Sequence, residues 1–237
     1  VKRELHLPKD AEKKGMPVPA LVLLRGAECS PDCSKLIETV HEFSESLGVA
    51  IDAKDPYTRT HSTEVAEVVQ VLARSVGLAP DQVELVHIGG HLHDIGKIGV
   101  PDSILNKVGP LEAEEWTMLK QHPEIGARIL EPVRTMAGTG IPGMVRHHHE
   151  AFDGTGYPHG LAGEDIPLGA RIIAVADSLS AMLSDRPYRP RMCYSDALAE
   201  VIRCRDTQFD PVVVRALLCR AGEIGKIFAS QPGTWAT

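Results

Sequence analysis

Apolar residues recur along this chain at intervals of three and four, the spacing that buries one face of a helix. From Pro31 the positions Leu36, Ile37, Val40, Phe43, Leu47 and Ile51 follow it, with Ser30 as cap, Pro31 at the first helical position and Asp32 in the first turn. Asp55-Pro56 breaks this helix. A second opens at His61 and carries the stripe Val65, Val68, Val69, Leu72 and Val76 to a stop at Gly77. Asp81-x-x-Glu84 reads as a capping box for a third helix, which runs through Leu85, Ile88 and Leu92 to His93-Asp94. A Pro- and Gly-bearing connection follows from Gly99 to Pro110. The spacing then predicts helices over 114–121, from His122 through Ile125, Ile129 and Leu130, and up to the cluster 147–150. A long apolar helix is expected over 167–185, and two more over 195–205 (capped by Ser195) and 211–220 (capped by Asp210). The total is eight to ten helices with no convincing strand pair, an all-α fold. Two prolines within 16–24 argue against a helix before residue 30. Residues 1–30 therefore read as an irregular extension or linker, 31–228 as the domain and 229–237 as a tail.

Composition narrows the class. The chain has 237 residues, 43% apolar but only 4% aromatic, so aliphatic side chains and alanine must fill the core. A net charge of −7 and a pI near 5.9 argue against binding DNA or RNA polymers, while leaving room for a local basic pocket that takes a small anion. No apolar run approaches the roughly 18 residues of a membrane span. Cysteines 29, 33, 193, 204 and 219 form an odd set without a framework, which points to free thiols in a reducing cytoplasm. Cys29-x₃-Cys33 is weak as a metal or redox pair. Because the chain begins with valine, it reads as a segment of a longer protein with a regulatory domain upstream.

The unusual chemistry is in histidine. His147, His148 and His149 are consecutive and lead into the turn Asp153-Gly154-Thr155-Gly156-Tyr157-Pro158. Neighbours on a helix point about 100° apart, so two adjacent imidazoles serve different ions more easily than one. His93-Asp94 adds a nitrogen ligand and a carboxylate whose two oxygens can bridge two cations. Iron and manganese accept such a mixed set, and two metals about 3.5–4 Å apart clamp a phosphoryl group. His61, His93, Asp94, His122, His148, His149 and Asp177 are the candidates. His6, His41, His87, His91 and His159 read instead as caps or core hydrogen-bonders. His147 reads as a bystander, Glu150 as a residue that orients a histidine or a loop, and Asp153 as a turn residue.

These residues lie in ordered motifs: Lys54-Asp-Pro-Tyr-Thr-Arg-Thr-His61-Ser, His93-Asp-Ile-Gly-Lys97-Ile-Gly-Val-Pro-Asp, His122-Pro-Glu-Ile-Gly126, His148-His-Glu-Ala-Phe-Asp-Gly-Thr-Gly-Tyr-Pro158 and Ala176-Asp177 through Asp185-Arg-Pro-Tyr-Arg189. Over roughly 35–225 the chain resembles the HD-GYP family, a branch of the HD superfamily of metal-dependent phosphohydrolases. The resemblance implies a helical bundle and a bacterial phosphodiesterase that hydrolyses cyclic di-GMP to pGpG or GMP by a metal-bound hydroxide. It implies two divalent ions, iron or manganese foremost, held by the seven candidates with Asp94 bridging. Asp94 and Lys97 would be catalytic. Lys97, Gly156, Tyr157, Pro158, Arg186 and Arg189 would meet the substrate, the arginines through planar forks that suit phosphate oxygens. A homodimer and a signalling partner stay open. Three departures stand out: Tyr57 where a third metal would need glutamate, Ser180 in place of an acidic residue, and Ala151 in place of arginine. The rival readings are a receptor that binds the dinucleotide without cleaving it and a phosphohydrolase for another nucleotide.

Overall fold

The computed structural model describes residues 31–55, 60–185 and 190–229, with side chains from 38 onward. The extension 1–30, Cys29, the side chain of Cys33, Tyr57, Arg186 and Arg189 lie outside the described residues. Within them the chain is helical: α1 Pro31–Lys54, α2 His61–Ser75, α3 Pro80–Leu92, a 3₁₀ turn Ile95–Gly99, α4 Asp102–Leu105, α5 Ala113–Leu119, α6 His122–Leu130, α7 Ile141–His147, a 3₁₀ turn Gly163–Asp165, α8 Leu168–Leu183, α9 Tyr194–Arg203, α10 Pro211–Cys219 and α11 Ala221–Ala229. Apart from the single turn α4, that is the ten-helix end of the expected range, with no strand among the described residues.

Two apolar clusters hold the bundle. Val65, Val69 and Leu72 of α2, Val86 of α3, and Ile172, Val175 and Leu179 of α8 pack with Val201, Val213, Leu217 and Phe228 from the last three helices. Ile51, Leu85, Ile88, Leu92, Ile95, Leu130, Ile141 and Val145 form the second, between α1, α3, α6 and α7. Each fully buried side chain of this kind contributes about 1.5–3 kcal/mol. Helix α3 belongs to both clusters and ends at the histidine–aspartate doublet.

Several local expectations needed revision. Val40, Leu47 and Ile51 of the α1 stripe pack on the core, but Phe43 is 67% exposed, and Ser44, Gly48 and Asp52 turn inward beside them. Gln82, not the Asp81/Glu84 pair, accepts from the first free N–H of α3, at Ala79 (3.2 Å). Helix α9 begins at Tyr194, before Ser195, and no side chain caps it. Asp210 does cap α10, accepting from Val212 N at 2.6 Å. Helix α4 interrupts what reads in sequence as a plain connection.

Glycine allows the closest approaches. A Cβ on Gly96 would stand 1.8 Å from the His122 carbonyl oxygen and 2.5 Å from Gly126 N, so the 3₁₀ turn lies directly on the start of α6. One on Gly90 would stand 3.0 Å from Ala66 Cα, where α3 crosses α2. Gly96→Ala is therefore expected to cost about 1–3 kcal/mol in urea unfolding. Gly143→Ala, at a helical position with nothing within 4 Å, is expected to leave stability unchanged or slightly raised.

Candidate metal centre

All seven candidate ligands meet between the two apolar clusters. His61 opens α2, His93 and Asp94 follow α3, His122 opens α6, His148 and His149 end α7, and Asp177 sits in the middle of α8. Helix ends suit this purpose because their unpaired backbone groups are available to orient side chains. Asp94 stands at the centre. Its Oδ2 lies 3.3 Å from His93 Nε2 and 4.0 Å from His61 Nε2, while its Oδ1 lies 3.2 Å from His122 Nε2. Asp177 Oδ1 is 3.1 Å from His61 Nε2 and 4.0 Å from His93 Nε2. On the Oδ1 side, His122 Nε2 and His148 Nε2 are 3.4 Å apart, and the His148 and His149 rings are 4.1 Å apart. One carboxylate thus faces two groups, one of His61, His93 and Asp177, the other of His122, His148 and His149.

The imidazoles are held in one orientation. The Nδ1–H groups of His93, His122 and His148 donate to the carbonyls of Gly90 (2.8 Å), Leu119 (2.8 Å) and Val145 (2.7 Å). A carbonyl only accepts, so in the neutral rings the lone pair is at Nε2 and points inward. His61 Nδ1 lies 2.9 Å from Ser180 Oγ, and Ser180 donates in turn to Glu64 Oε2 at 2.7 Å. Thr60 Oγ1 donates to the other oxygen of that carboxylate at 2.9 Å. Ser180 therefore links a buried glutamate on α2 to His61, and the carboxylate that its own position lacks comes from Glu64. His93 Nε2 is fully buried, and its 3.3 Å contact with Asp94 Oδ2 is an ion pair that falls short of a well-formed hydrogen bond. A buried ring nitrogen without a well-formed hydrogen bond is a position a cation would satisfy, and the nitrogen and oxygen donors fit a divalent metal of the iron or manganese type.

The charges agree with that reading. Burial alone would raise the Asp94 carboxyl, but Lys97, His93 and the hydrogen bond to His122 hold it well below the usual range. Burial likewise opposes ionisation of Asp177, and the His61 contact outweighs it. Burial pushes His149 down to about 3 and His148 well below its ordinary value, in each case reinforced by neighbouring imidazoles, so both stay neutral as ligands must. His93 goes the other way: burial opposes the charged form, but Asp94 and Asp177 lift it to about 9.

Lys97 Nζ lies 2.8 Å from Asp94 Oδ2 and 3.3 Å from Asp55 Oδ2. Its segment is fixed by Lys54, whose ammonium donates to the carbonyls of Lys97, Ile98 and Val100 at 3.0, 3.1 and 2.8 Å. Asp52 holds the start of α2 by accepting from Ser62 N (2.9 Å) and Ser62 Oγ (2.8 Å). Lys54, Asp52, Asp55 and the Glu64–Ser180 link escaped the sequence reading, which took Asp55 for a turn residue; only the buried i+4 carboxylate after Thr60 was a visible signal.

The glycine turn lies against the centre. A Cβ on Gly156 would stand 2.2 Å from Ala151 N, and Gly154 has φ +84°, so both positions require glycine. Tyr157 stacks on His149 with centroids 4.9 Å apart, and Lys120 Nζ lies 5.4 Å from the Tyr157 ring centre. Glu150 accepts from His159 N (2.8 Å) and Leu161 N (3.2 Å), orienting the loop and not a ligand. Asp153 accepts from Thr155 N at 3.0 Å as a turn residue. His147 bonds to Gly143 O (2.8 Å) and His159 Nδ1 (3.1 Å), outside the cluster. A cavity of about 410 Å³ opens beside Asp177, His149 and Tyr157, with Cys204, Thr207 and Gln208 as its far wall.

The comparisons point the same way. An HD domain family profile matches residues 45–213. The chain is 38% identical over 190 residues to the cyclic di-GMP phosphodiesterase response regulator RpfG of Xanthomonas campestris pv. campestris, covering 80% of this chain and 50% of that protein. It is 41% identical over 174 residues to the cyclic di-GMP phosphodiesterase PA4108 of Pseudomonas aeruginosa (73% and 42% covered). It is 35% identical over 197 residues to the 3′3′-cGAMP-specific phosphodiesterase 2 of Vibrio cholerae (83% and 38%). The chain spans half or less of the length of these relatives. Its fold matches a cyclic GMP-AMP specific phosphodiesterase of V. cholerae, V-cGAP3 (TM-score 0.63, 17% identity, 84% of this chain and 51% of that one). It also matches Bd1817, an HDG"Y"P protein from Bdellovibrio bacteriovorus (TM-score 0.58, 17% identity, 78% and 64%).

Two outcomes are expected. Because the His93 value stands above the ordinary 6.5, the stability it lends is whole below pH 6.5 and lost as pH rises through about 9. A cation at Nε2 must displace that proton, so divalent-metal affinity should climb across the same window, read by metal titration at a series of pH values. Ser180→Ala, which cuts the link from Glu64 to His61, should weaken metal binding by about 10–100-fold while the circular dichroism of the helices is unchanged.

Proposed function

Because the chain belongs to the HD domain family, in its HD-GYP branch, we propose that it hydrolyses cyclic di-GMP to pGpG or GMP at a two-metal site. The observation that carries the reading is Asp94, whose two oxygens face two separate groups, Oδ2 towards the buried His93 Nε2 and Oδ1 towards His122 Nε2. In this reading Asp94 bridges, His61, His93 and Asp177 hold one ion, and His122, His148 and His149 hold the other. Iron or manganese fits the mixed nitrogen and oxygen set. Bound metals would supply Lewis acidity and a nucleophile available at neutral pH.

The chain's own residues then orient and balance charge. Burial lowers and the Asp94, Asp55 and Asp177 carboxylates raise the Lys97 ammonium, with a net rise, so it stays charged and serves as a phosphate contact and not as a proton donor. Burial raises the Tyr157 phenol, which stays neutral beside His149 and offers a flat face and an O–H to the substrate. Gly156 and Pro158 shape that wall. Arg186 and Arg189 are assigned to the phosphates from their motif. In the net reaction water adds to phosphorus, the P–O3′ bond breaks, and the 3′-hydroxyl leaves with a proton. The Glu64–Ser180 support of His61 counts against a binding-only receptor, because the ligand shell is complete.

A second reading, that the substrate is a mixed cyclic GMP-AMP, has the Vibrio relatives specific for 3′3′-cGAMP in its favour. Competition between the two dinucleotides in one assay decides between them. Asp94→Ala is expected to lower kcat by at least about 10³-fold, with the helical spectrum intact. Normal turnover by that variant would sink the two-metal reading, and full metal occupancy of the unaltered chain without any product would favour the receptor.

A further inference from the structure

A second group of imidazoles lies outside the centre. Glu84, His87 and His91 fall at i, i+3 and i+7 on α3, along one side of the helix, and α1 lays His41 against them. His41 Nδ1 is 2.9 Å from Glu84 Oε1, and His87 Nδ1 is 2.9 Å from the carbonyl of Ala66. Both partners are acceptors, so both Nδ1 atoms carry protons. In neutral rings the two Nε2 atoms are then bare lone pairs, yet they face each other at 3.2 Å. Two acceptors at that distance require a proton or a cation between them. His91, 4% exposed, adds a buried Nδ1 with no hydrogen-bond partner, and its ring centre lies 4.8 Å from His87.

One nitrogen from each ring comes within 4.8 Å of the other two. A tetrahedral zinc ion with bonds of about 2.0–2.1 Å spaces its ligand nitrogens about 3.4 Å apart, close to the His41–His87 distance. The widest separation exceeds this by at most about 1.4 Å, which side-chain rotation closes. We propose that His41, His87 and His91 form a separate three-imidazole site for zinc or a similar divalent cation, fastening α1 to α3. The donor set narrows the class: imidazole suits zinc, copper, iron and nickel, whereas magnesium and calcium seek oxygen. Glu84 and the Ala66 carbonyl take the outer ring N–H groups, the usual support of a ligand histidine. Burial keeps His87 in its neutral form, which a ligand must have. The His41 side chain is 30% exposed, which leaves the fourth position open to water.

The test is equilibrium dialysis of the metal-stripped chain against Zn²⁺ with elemental analysis. His41→Gln should bind one zinc fewer than the unaltered chain while turnover with manganese persists. In Asp94→Ala protein zinc should still raise the melting midpoint, and adding His41→Gln should reduce that rise and remove one bound zinc. His91→Gln should lose the same equivalent; if it fails to fold, His41→Gln at its half-exposed position decides alone. Equal zinc content in His41→Gln and the unaltered chain would overturn the site, leaving a His41 imidazolium that donates to both Glu84 and His87.

Discussion

The centre depends on where four protons sit. Carbonyls of Gly90, Leu119 and Val145, and the Ser180 hydroxyl, engage the Nδ1 atoms of His93, His122, His148 and His61, which leaves the Nε2 atoms to converge on Asp94. All three carbonyls lie three residues before their histidine, where a helix end has carbonyls to spare. Backbone geometry thus selects the tautomer, and no extra polar residue has to be buried for it. The anionic cost falls on Asp94 and Asp177, which are ionised only because Lys97 and the imidazoles surround them.

That arrangement requires backbones closer than most side chains permit. Gly96 lies against His122, Gly126 against Val145 and Gly156 against Glu150 and Ala151, so each helix end that carries ligands is backed by a glycine contact. The two apolar clusters flank the centre and fix the helices at these distances. The geometry of the candidate centre and core packing are therefore one constraint in this bundle: a methyl group at Gly96 acts on His122 as directly as it acts on stability.

Much of this was legible in the sequence for identifiable reasons. The helices read correctly wherever a strong apolar stripe ended at glycine or proline, as from His61 to Gly77. The seven ligand-type residues were visible because they sit in spaced motifs. What failed depended on contacts between helices. Phe43 matches the α1 stripe by spacing, but the buried edge of α1 follows Ser44, Gly48 and Asp52, with Gly48 packed under the His91 carbonyl, and Phe43 is left outside. Glu84 looked like a cap and instead meets His41. Ser180 looked like a loss until Glu64, 116 residues earlier, supplied the carboxylate. Lys54 looked like part of a motif, yet it grips three carbonyls more than 40 residues away.

The glycine turn is not a free-standing loop. Phe152 N and Asp153 N donate to the carbonyls of Gln208 and Thr207 at 3.2 and 2.8 Å, so the turn is stitched to the link between α9 and α10. The same link supplies the far wall of the cavity. For protein engineering this makes the two segments a single transplantable unit: a turn grafted from a relative without its matching 204–209 segment would bring its donors to carbonyls in another position, and the pocket would change shape on both sides at once.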